Sequence, residues 1–278
     1  MDRTVNLLPA QPRQNEADAI RSVRIRAAGT RRQEILVQAV EVAVIPQLLA
    51  QRRAPDPATI NKAHVDHLVQ LVLRQDGAAA VAYVDATHRR GVAPEAIYLD
   101  LLAPAARVLG TLWEDDICDF TEVSLGLWKL QTAMRDMRDA FLVPAASATG
   151  PRILLMPLPG EHHTFGLSMV HDFFVRAGWD AWTGPVPSSA GLIAMVAGQH
   201  VDVIGFSLAS DEFLPVAAAE IASVRRHSLN PAVVVMVGGP GFVTNPALAA
   251  TIGADGTALN GLQAVAEAQR LVTLHMTV

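Results

Sequence analysis

Cysteine, surplus positive charge and long apolar runs are scarce or missing in this chain of 278 residues. Its single cysteine, Cys118, excludes an internal disulfide and fits a reducing compartment. The net charge of -5 leaves no excess of Lys and Arg to neutralise phosphates, so direct nucleic-acid binding is not expected. No stretch of about 18 residues is free of polar breaks, and the first residues lack the apolar core of a signal peptide. These features together predict a cytoplasmic protein without a membrane partner.

What the chain does have is enough apolar material for a large core. Hydrophobic residues make up 51% of it and charged residues only 18%, so one large or two modest domains are expected. The pattern divides the chain into three parts. Residues 1–57 predict a loose tail and an amphipathic helix, residues 58–145 a four-helix bundle, and residues 151–278 an alternating α/β domain. The expected fold is therefore an all-α half followed by an α/β half.

The middle part has the apolar spacing of successive helices. The predicted helices cover 59–74, 78–90, 95–113 and 121–141. Because the connections between them are short, antiparallel packing into a bundle is the natural arrangement. Pro104 lies inside the third helix and is expected to bend it.

The last part alternates short apolar runs with helical patterns. The predicted strands cover 153–156, 180–183, 201–207, 232–237 and 256–259, each followed by a helical segment. Strands that alternate with helices in this way favour right-handed parallel crossovers. We therefore predict a five-stranded, doubly wound parallel sheet of the flavodoxin or Rossmann-like kind.

The loop after the first strand carries two histidines and a carboxylate. In an open α/β sheet this loop lies at the carboxyl end of a strand, where ligands bind. His163 is a candidate metal ligand, and Glu161 is placed to hydrogen-bond its other ring nitrogen, with Ser207 extending the contact. His162 is an alternative ligand. A loop histidine that caps the next helix or faces water would have the same local sequence.

Several motifs in this part resemble those of cobalamin-binding domains. Glu161-x-His163-x-x-Gly166 is similar to the Asp-x-His-x-x-Gly signature of that family, in which the histidine is the lower axial ligand of cobalt. Further along, Ser207 matches a Ser-x-Leu element. The resemblance implies these cofactor-binding residues: Glu161, His163, Thr164, Gly166, Ser207, Gly238, Gly239, Gly241 and Thr257. Two departures are the Glu in place of Asp and Ala209 in place of Leu. Glycines 238, 239 and 241 would equally suit an ordinary strand-to-helix turn.

The junction of the third and fourth helices resembles the helical cap of CarH-type photoreceptors. Trp113 and Glu122 match residues that cover the upper face of the cofactor in that family, whereas Val123 stands where it has a histidine. Trp113 has an alternative role as a packing residue of the bundle, and Glu122 as a solvated helix residue. The Val-Ser-Leu-Gly version is closest to the AerR/PpaA group of photosynthesis antirepressors.

The resemblance covers about residues 35 to 278 and implies a function. Proteins of this group bind adenosylcobalamin or hydroxocobalamin and relieve a transcriptional repressor through protein contact. We accordingly expect a light-responsive regulator rather than an enzyme. A corrinoid shuttle protein of a methyltransferase system is the main alternative, and a haem-binding sensor on the same fold is another. The oligomeric state is left open.

Overall fold

The first half of the structure is a bundle of four helices. The computed structural model describes residues 59–74, 77–142, 150–161, 163–184 and 188–276. The helices are α1 (Lys62–Leu73), α2 (Gly77–Arg89), α3 (Pro94–Glu114) and α4 (Phe120–Phe141). The tail and helix predicted for residues 1–57 lie outside the described residues, and so does the linker at 143–149.

The bundle forms because each helix has one apolar face, and these faces meet in a common core. Its fully buried residues include Leu68, Val72, Val84, Leu101, Leu102, Leu109, Leu130 and Phe141. Capping boxes fix the starts of α1 and α4: Asn61 pairs with His64, and Asp119 pairs with Glu122. The predicted four-helix bundle is confirmed.

Helix α3 departs from α geometry in its middle. Residues Ile97–Leu102 form a π-helical stretch that ends directly before Ala103 and Pro104. Proline has no N–H and its ring collides with the preceding turn, and a wider turn relieves both problems. Among the described residues, α3 is the one helix long and apolar enough to cross a membrane by length and composition. Several of its apolar side chains, including Tyr98 and Leu101, are buried in the bundle core.

The second half is a parallel sheet of five strands in the order β2-β1-β3-β4-β5. The strands are β1 (Arg152–Pro157), β2 (Asp180–Thr183), β3 (Val203–Ser207), β4 (Val234–Gly238) and β5 (Gly256–Thr257). The longer helices around it are α5 (Phe165–Arg176), α6 (Ser189–Gly198), α7 (Leu214–His227) and α10 (Gly261–Met276), and the short ones are α8 (Pro240–Thr244) and α9 (Leu248–Thr251). This order confirms the predicted flavodoxin-like, doubly wound sheet.

Helix α5 joins the two halves, because it packs on the sheet with one side and on the bundle with the other. Leu167 and Phe174 belong to the apolar cluster on the sheet, whereas Met169 and Phe173 belong to the bundle core. The ring of Phe173 meets that of Phe141 edge to face, with centroids 5.0 Å apart. The two halves therefore share a core through one helix.

Polar contacts to α5 reinforce this junction. Asp172 is buried, and its carboxylate accepts hydrogen bonds from the Tyr98 hydroxyl at 3.1 Å and from Arg138 Nε at 3.0 Å. Arg176 donates to the carbonyl of Phe141 and pairs with Glu95. Burial, and then the charge of Asp172, raise the pKa of Tyr98 well above its ordinary value. Tyr98 is therefore a neutral hydrogen-bond donor across the physiological pH range.

Candidate functional site

The carboxyl ends of four neighbouring strands lie side by side and form the edge of the candidate site. Pro157 at the end of β1 pairs with Ser207 of β3, and Ser207 in turn pairs with Gly238 of β4. Thr257 of β5 pairs with Val237. The register therefore places the loop of His163, Ser207, the glycine pair and Thr257 in one row.

His163 extends from this edge with one ring nitrogen fixed. Its side chain is 68% exposed, whereas the side chain of Glu161 is 2% exposed. Glu161 Oε1 lies 2.6 Å from His163 Nδ1 and also accepts from the His163 backbone N–H at 2.9 Å. Because an ionised carboxylate only accepts hydrogen bonds, Nδ1 carries the proton and Nε2 is left with its lone pair. That nitrogen is the one available to a metal.

The contact from Glu161 to the neighbouring strand goes to the backbone. Glu161 Oε2 accepts from the N–H of Ala209 at 2.6 Å. The sequence prediction also placed Ser207 next to Glu161, and Ser207 ends β3 two residues before Ala209. No sequence signal marks Ala209, because every residue except proline has a backbone N–H.

The glycines that were predicted to bind the cofactor differ in how much space surrounds them. Gly239 has a φ of +138°, and an added Cβ would overlap the carbonyl oxygen of Leu208. An added Cβ at Gly241 would collide with the carboxylate of Asp211, whereas at Gly238 and Gly166 it would meet no atom within 4 Å. Gly238 and Gly166 thus face open space at the site.

Two threonines predicted to bind the cofactor have different surroundings. Thr164 is the residue before α5, and its carbonyl accepts from the N–H and the hydroxyl of Ser168. Thr257 Oγ1 is buried and has no hydrogen-bond partner within the part of the chain that the structure describes. A buried hydroxyl without a partner is costly, and a polar ligand group at the strand edge would satisfy it.

The bundle extends over this edge. Arg138 of α4 contacts Asp172 of α5, and Phe141 contacts Arg176, so the two helices run in the same direction. From these contacts α4 reaches back about 16 Å further than α5, which begins at the His163 loop. The start of α4 and the nearby end of α3 therefore lie beyond the carboxyl edge of the sheet.

Three large hydrophobic residues are exposed at this end of the bundle. Trp113 at the end of α3 is 48% exposed, Ile117 in the connection is 65% exposed, and Phe120 at the start of α4 is 74% exposed. An exposed pair of aromatic side chains next to an open strand edge suits a large, partly apolar ligand. Trp113 thus lies outside the bundle core. Its place over the ligand stays a prediction.

The other cap residues have structural contacts. The carboxylate of Glu122 accepts from the backbone N–H of Asp119 in the capping box of α4, and Val123 is buried in the bundle core. Partial burial and the carboxylates of Glu122 and Asp119 raise the pKa of the Cys118 thiol. Cys118 is therefore a protonated thiol at neutral pH.

The described residues fit a metal carried in a large organic ring. His163 offers a single fixed nitrogen, Gly238 and Gly166 leave room for a bulky group, and the Thr257 hydroxyl has no polar partner among the described residues. His162, the alternative ligand, lies outside the described residues. One histidine on a wide, partly apolar edge would suit a metal whose other ligands come from a large organic ring such as a corrinoid.

Comparison with known proteins agrees with this geometry. Residues 151–267 match the model of the B12 binding domain family, and residues 65–135 match a second model with the same description. Two parts of the chain, one α/β and one helical, are thus similar to B12 binding domains. The matches support cobalamin as the cofactor and give no support to haem.

Individual relatives are more distant. The chain is 28% identical over 117 residues to the uncharacterised 20.5 kDa protein in the bchF-crtJ intergenic region of Rhodobacter capsulatus, a match that covers 41% of this chain and 60% of that relative. The monomethylamine corrinoid protein of Methanosarcina barkeri has a TM-score of 0.65 and 17% identity, over 76% of this chain and 99% of that chain. A cobalamin-binding protein from Desulfitobacterium hafniense DCB-2 has a TM-score of 0.41 and 16% identity, over 74% and 98% of the two chains. The Methanosarcina likeness shows a shared fold.

Proposed function

We propose that this protein is a cobalamin-binding, light-responsive regulator that acts by contacting a transcriptional repressor. The observation that carries the proposal is the exposed imidazole of His163, with Nδ1 held by the buried Glu161. The relative in the bchF-crtJ intergenic region supports a link to the photosynthesis-related group. In this proposal the chain is a cytoplasmic binding protein and not an enzyme.

Each part of the site has a role in this proposal. His163 Nε2 would hold the metal of the cofactor, and Glu161 keeps the imidazole in the tautomer that leaves Nε2 unprotonated. The hydroxyl of Thr257 and the open backbone at Gly238 would take polar groups of the cofactor, and Trp113 would cover its exposed side. When bound, a corrinoid would supply a light-sensitive metal centre. A change at that centre would alter the surface that the bundle presents to the repressor.

The first test is the visible absorption spectrum of the protein with cobalamin. We expect adenosylcobalamin or hydroxocobalamin to survive desalting with a spectrum typical of histidine-ligated, base-off cobalamin. His163→Ala removes the ligand nitrogen, so the bound form should lose that spectrum and the affinity should fall by about tenfold or more. The matched control is His227→Ala, because His227 is exposed and its ring contacts the Ser223 carbonyl of its own helix.

Two results would count against the proposal. Retention of neither cobalamin by the wild-type protein would exclude a cobalamin sensor. An unchanged spectrum in His163→Ala would exclude His163 as the ligand and turn attention to His162. Illumination of the loaded protein, followed by a second spectrum, tests the light response separately.

The repressor contact has its own test. A protein that regulates by contact should bind its partner differently in the dark and after illumination. Co-purification of the cobalamin-loaded chain with DNA-binding proteins of its own cell, in both states, measures this difference. Equal recovery in both states would remove the light-dependent step from the proposal.

A corrinoid shuttle protein of a methyltransferase system is the second candidate. It is favoured by the shared fold with the Methanosarcina barkeri monomethylamine corrinoid protein, which this chain covers almost completely. A shuttle needs one face of its bound cofactor open to partner enzymes. Trp113 is partly exposed, so experiment must decide whether it blocks that face. Methyl transfer to and from the reduced, loaded protein would support this candidate, and its absence would favour the sensor.

A further inference from the structure

We propose that the peptide group between Leu208 and Ala209 orients the metal ligand His163 through Glu161, and that glycine at position 239 leaves the room this peptide group needs. The inference deepens the proposed function, on which it rests, by assigning positioning roles to two residues. It adds a backbone donor to the contacts of Glu161. Three loops at the strand edge are thereby connected to one imidazole.

The geometry of a single peptide group carries the argument. In a trans peptide the carbonyl and the N–H point in opposite directions. The carbonyl of Leu208 points at Gly239, where any Cβ would overlap its oxygen. The N–H of Ala209 belongs to the same peptide group and points at Glu161 Oε2, 2.6 Å away. The conformation of the loop after β4 thus sets the direction of a donor in the loop after β3.

A second hydrogen bond fixes the loop after β3 to that after β4. The N–H of Leu208 donates to the carbonyl of Gly238 at 2.9 Å. The backbone of Leu208 is therefore tied to the loop after β4, and its side chain is buried. Rotation of the Leu208–Ala209 peptide would break the contact to Glu161 without changing any side chain of the site.

The carboxylate of Glu161 transmits this orientation to the imidazole. One oxygen accepts from Ala209, and the other accepts from both the backbone and Nδ1 of His163. A buried carboxylate with all its donors in fixed positions has little freedom to turn. Asp at position 161 would be shorter by one methylene, about 1.5 Å, and would not reach both loops.

The experiment uses the protein without added cobalamin, so that it does not depend on cofactor binding. The probes are amide hydrogen exchange at Ala209 and the ¹⁵N shifts of the His163 ring, which report its tautomer. Glu161→Gln and Glu161→Asp weaken or remove the acceptor, and Gly239→Ala displaces the peptide group. Matched controls are Glu267→Gln, a carboxylate on α10 that pairs with Arg270, and Gly198→Ala, whose added Cβ meets open space.

In the expected result, the exchange of the Ala209 amide is faster by on the order of 10- to 100-fold in both Glu161 variants, because a charge-assisted hydrogen bond is lost. Gly239→Ala should speed the hydrogen exchange of the Ala209 amide and shift His163 toward a mixture of tautomers, although position 239 contacts neither Ala209 nor His163. The controls should leave both signals at the wild-type position. In the cobalamin-loaded protein, the fraction of cobalamin that is ligated by histidine should also fall in the Glu161 variants and in Gly239→Ala.

Some outcomes would overturn the inference. The inference would be wrong if the exchange rate of the Ala209 amide were unchanged in folded Glu161→Gln. It would also be wrong if the tautomer of His163 were unchanged in folded Gly239→Ala. If Gly239→Ala does not fold, the Glu161 variants decide. If the wild type binds no cobalamin, the proposed function fails, whereas the amide and ring signals still decide the positioning of His163.

Discussion

At the scale of single residues, the chemistry of the site is divided between a few exposed groups and a few buried ones. His163 is exposed and supplies a nitrogen, whereas Glu161 is buried and determines which nitrogen it is. Thr257 is the converse case, a buried hydroxyl for which the described residues provide no acceptor. Such an atom lowers the stability of the empty protein and becomes useful when a ligand arrives.

Thr257→Val tests this residue directly. Val has nearly the shape of Thr and removes the unsatisfied hydroxyl, so the free energy of unfolding of the empty protein should rise by about 1 kcal/mol. The affinity for cobalamin should fall by roughly tenfold, because a hydrogen bond to the ligand is lost. Urea unfolding and equilibrium binding measure the two effects. Thr257→Ser, which retains the hydroxyl, is the control, and tight binding by the Val variant would contradict the assignment.

Much of the candidate site could be predicted at this scale. The order of Glu161, His163, Ser207, the glycine pair and Thr257 along the chain was enough to place them at neighbouring strand ends. The role of Ala209 could not be predicted, because it depends on a backbone N–H that any residue would supply. Glu122 shows a second limit of prediction from sequence, because a glutamate at this position is equally compatible with a ligand pocket and with a capping box.

At the scale of elements, helix α5 connects the site to the bundle. It begins two residues after His163 and carries Asp172, the acceptor for Tyr98 and Arg138. The π-helical stretch of α3 contains Tyr98, so an irregular turn supplies one side of this contact. The periodicity of the sequence predicted α3 and α5 as helices. It did not predict their contact, which joins residues separated by 74 positions.

Tyr98→Phe tests the contact and its dependence on pH. At neutral pH the loss of a buried hydrogen bond should lower the free energy of unfolding by about 1–2 kcal/mol. The pKa of Tyr98 is raised in the folded protein, so its contribution is fully present below the ordinary tyrosine pKa of about 10 and is lost as the pH rises above it.

The measurement is urea unfolding of wild type and Tyr98→Phe between pH 7 and pH 11. The difference between the two proteins should be constant up to about pH 10 and should shrink above it. Because Tyr83 is present in both proteins, its ionisation cancels in the difference. A difference that grows at high pH would show that the hydroxyl is ionised in the folded state.

At the scale of the whole molecule, two halves that each resemble a separate domain share one core. Simple periodicity predicted both halves, because apolar spacings near 3.6 residues and short apolar runs differ clearly along the chain. The way they join was not predictable, since it depends on both sides of α5 being apolar. A helix that is apolar on two sides has the same sequence pattern as any buried helix.

Cobalamin should therefore stabilise both halves together. A ligand that binds only the folded state adds about 2.7 kcal/mol at a concentration one hundred times its Kd. We expect a single thermal transition whose Tm rises with cobalamin concentration, when followed by bundle and sheet signals alike. Two transitions, of which only one moves, would show that the halves unfold independently. His163→Ala should reduce the rise at any given cobalamin concentration.

The position of α5 has a mechanical consequence. This helix of 12 residues is about 18 Å long, with the loop of His163 at one end and Arg176 held by the bundle at the other. A rotation of 5° about one end would move the other by about 1.6 Å. A shift of that size is large enough to exchange one packing arrangement for another at a helix interface. A single rigid helix thus connects the loop of His163 to the bundle.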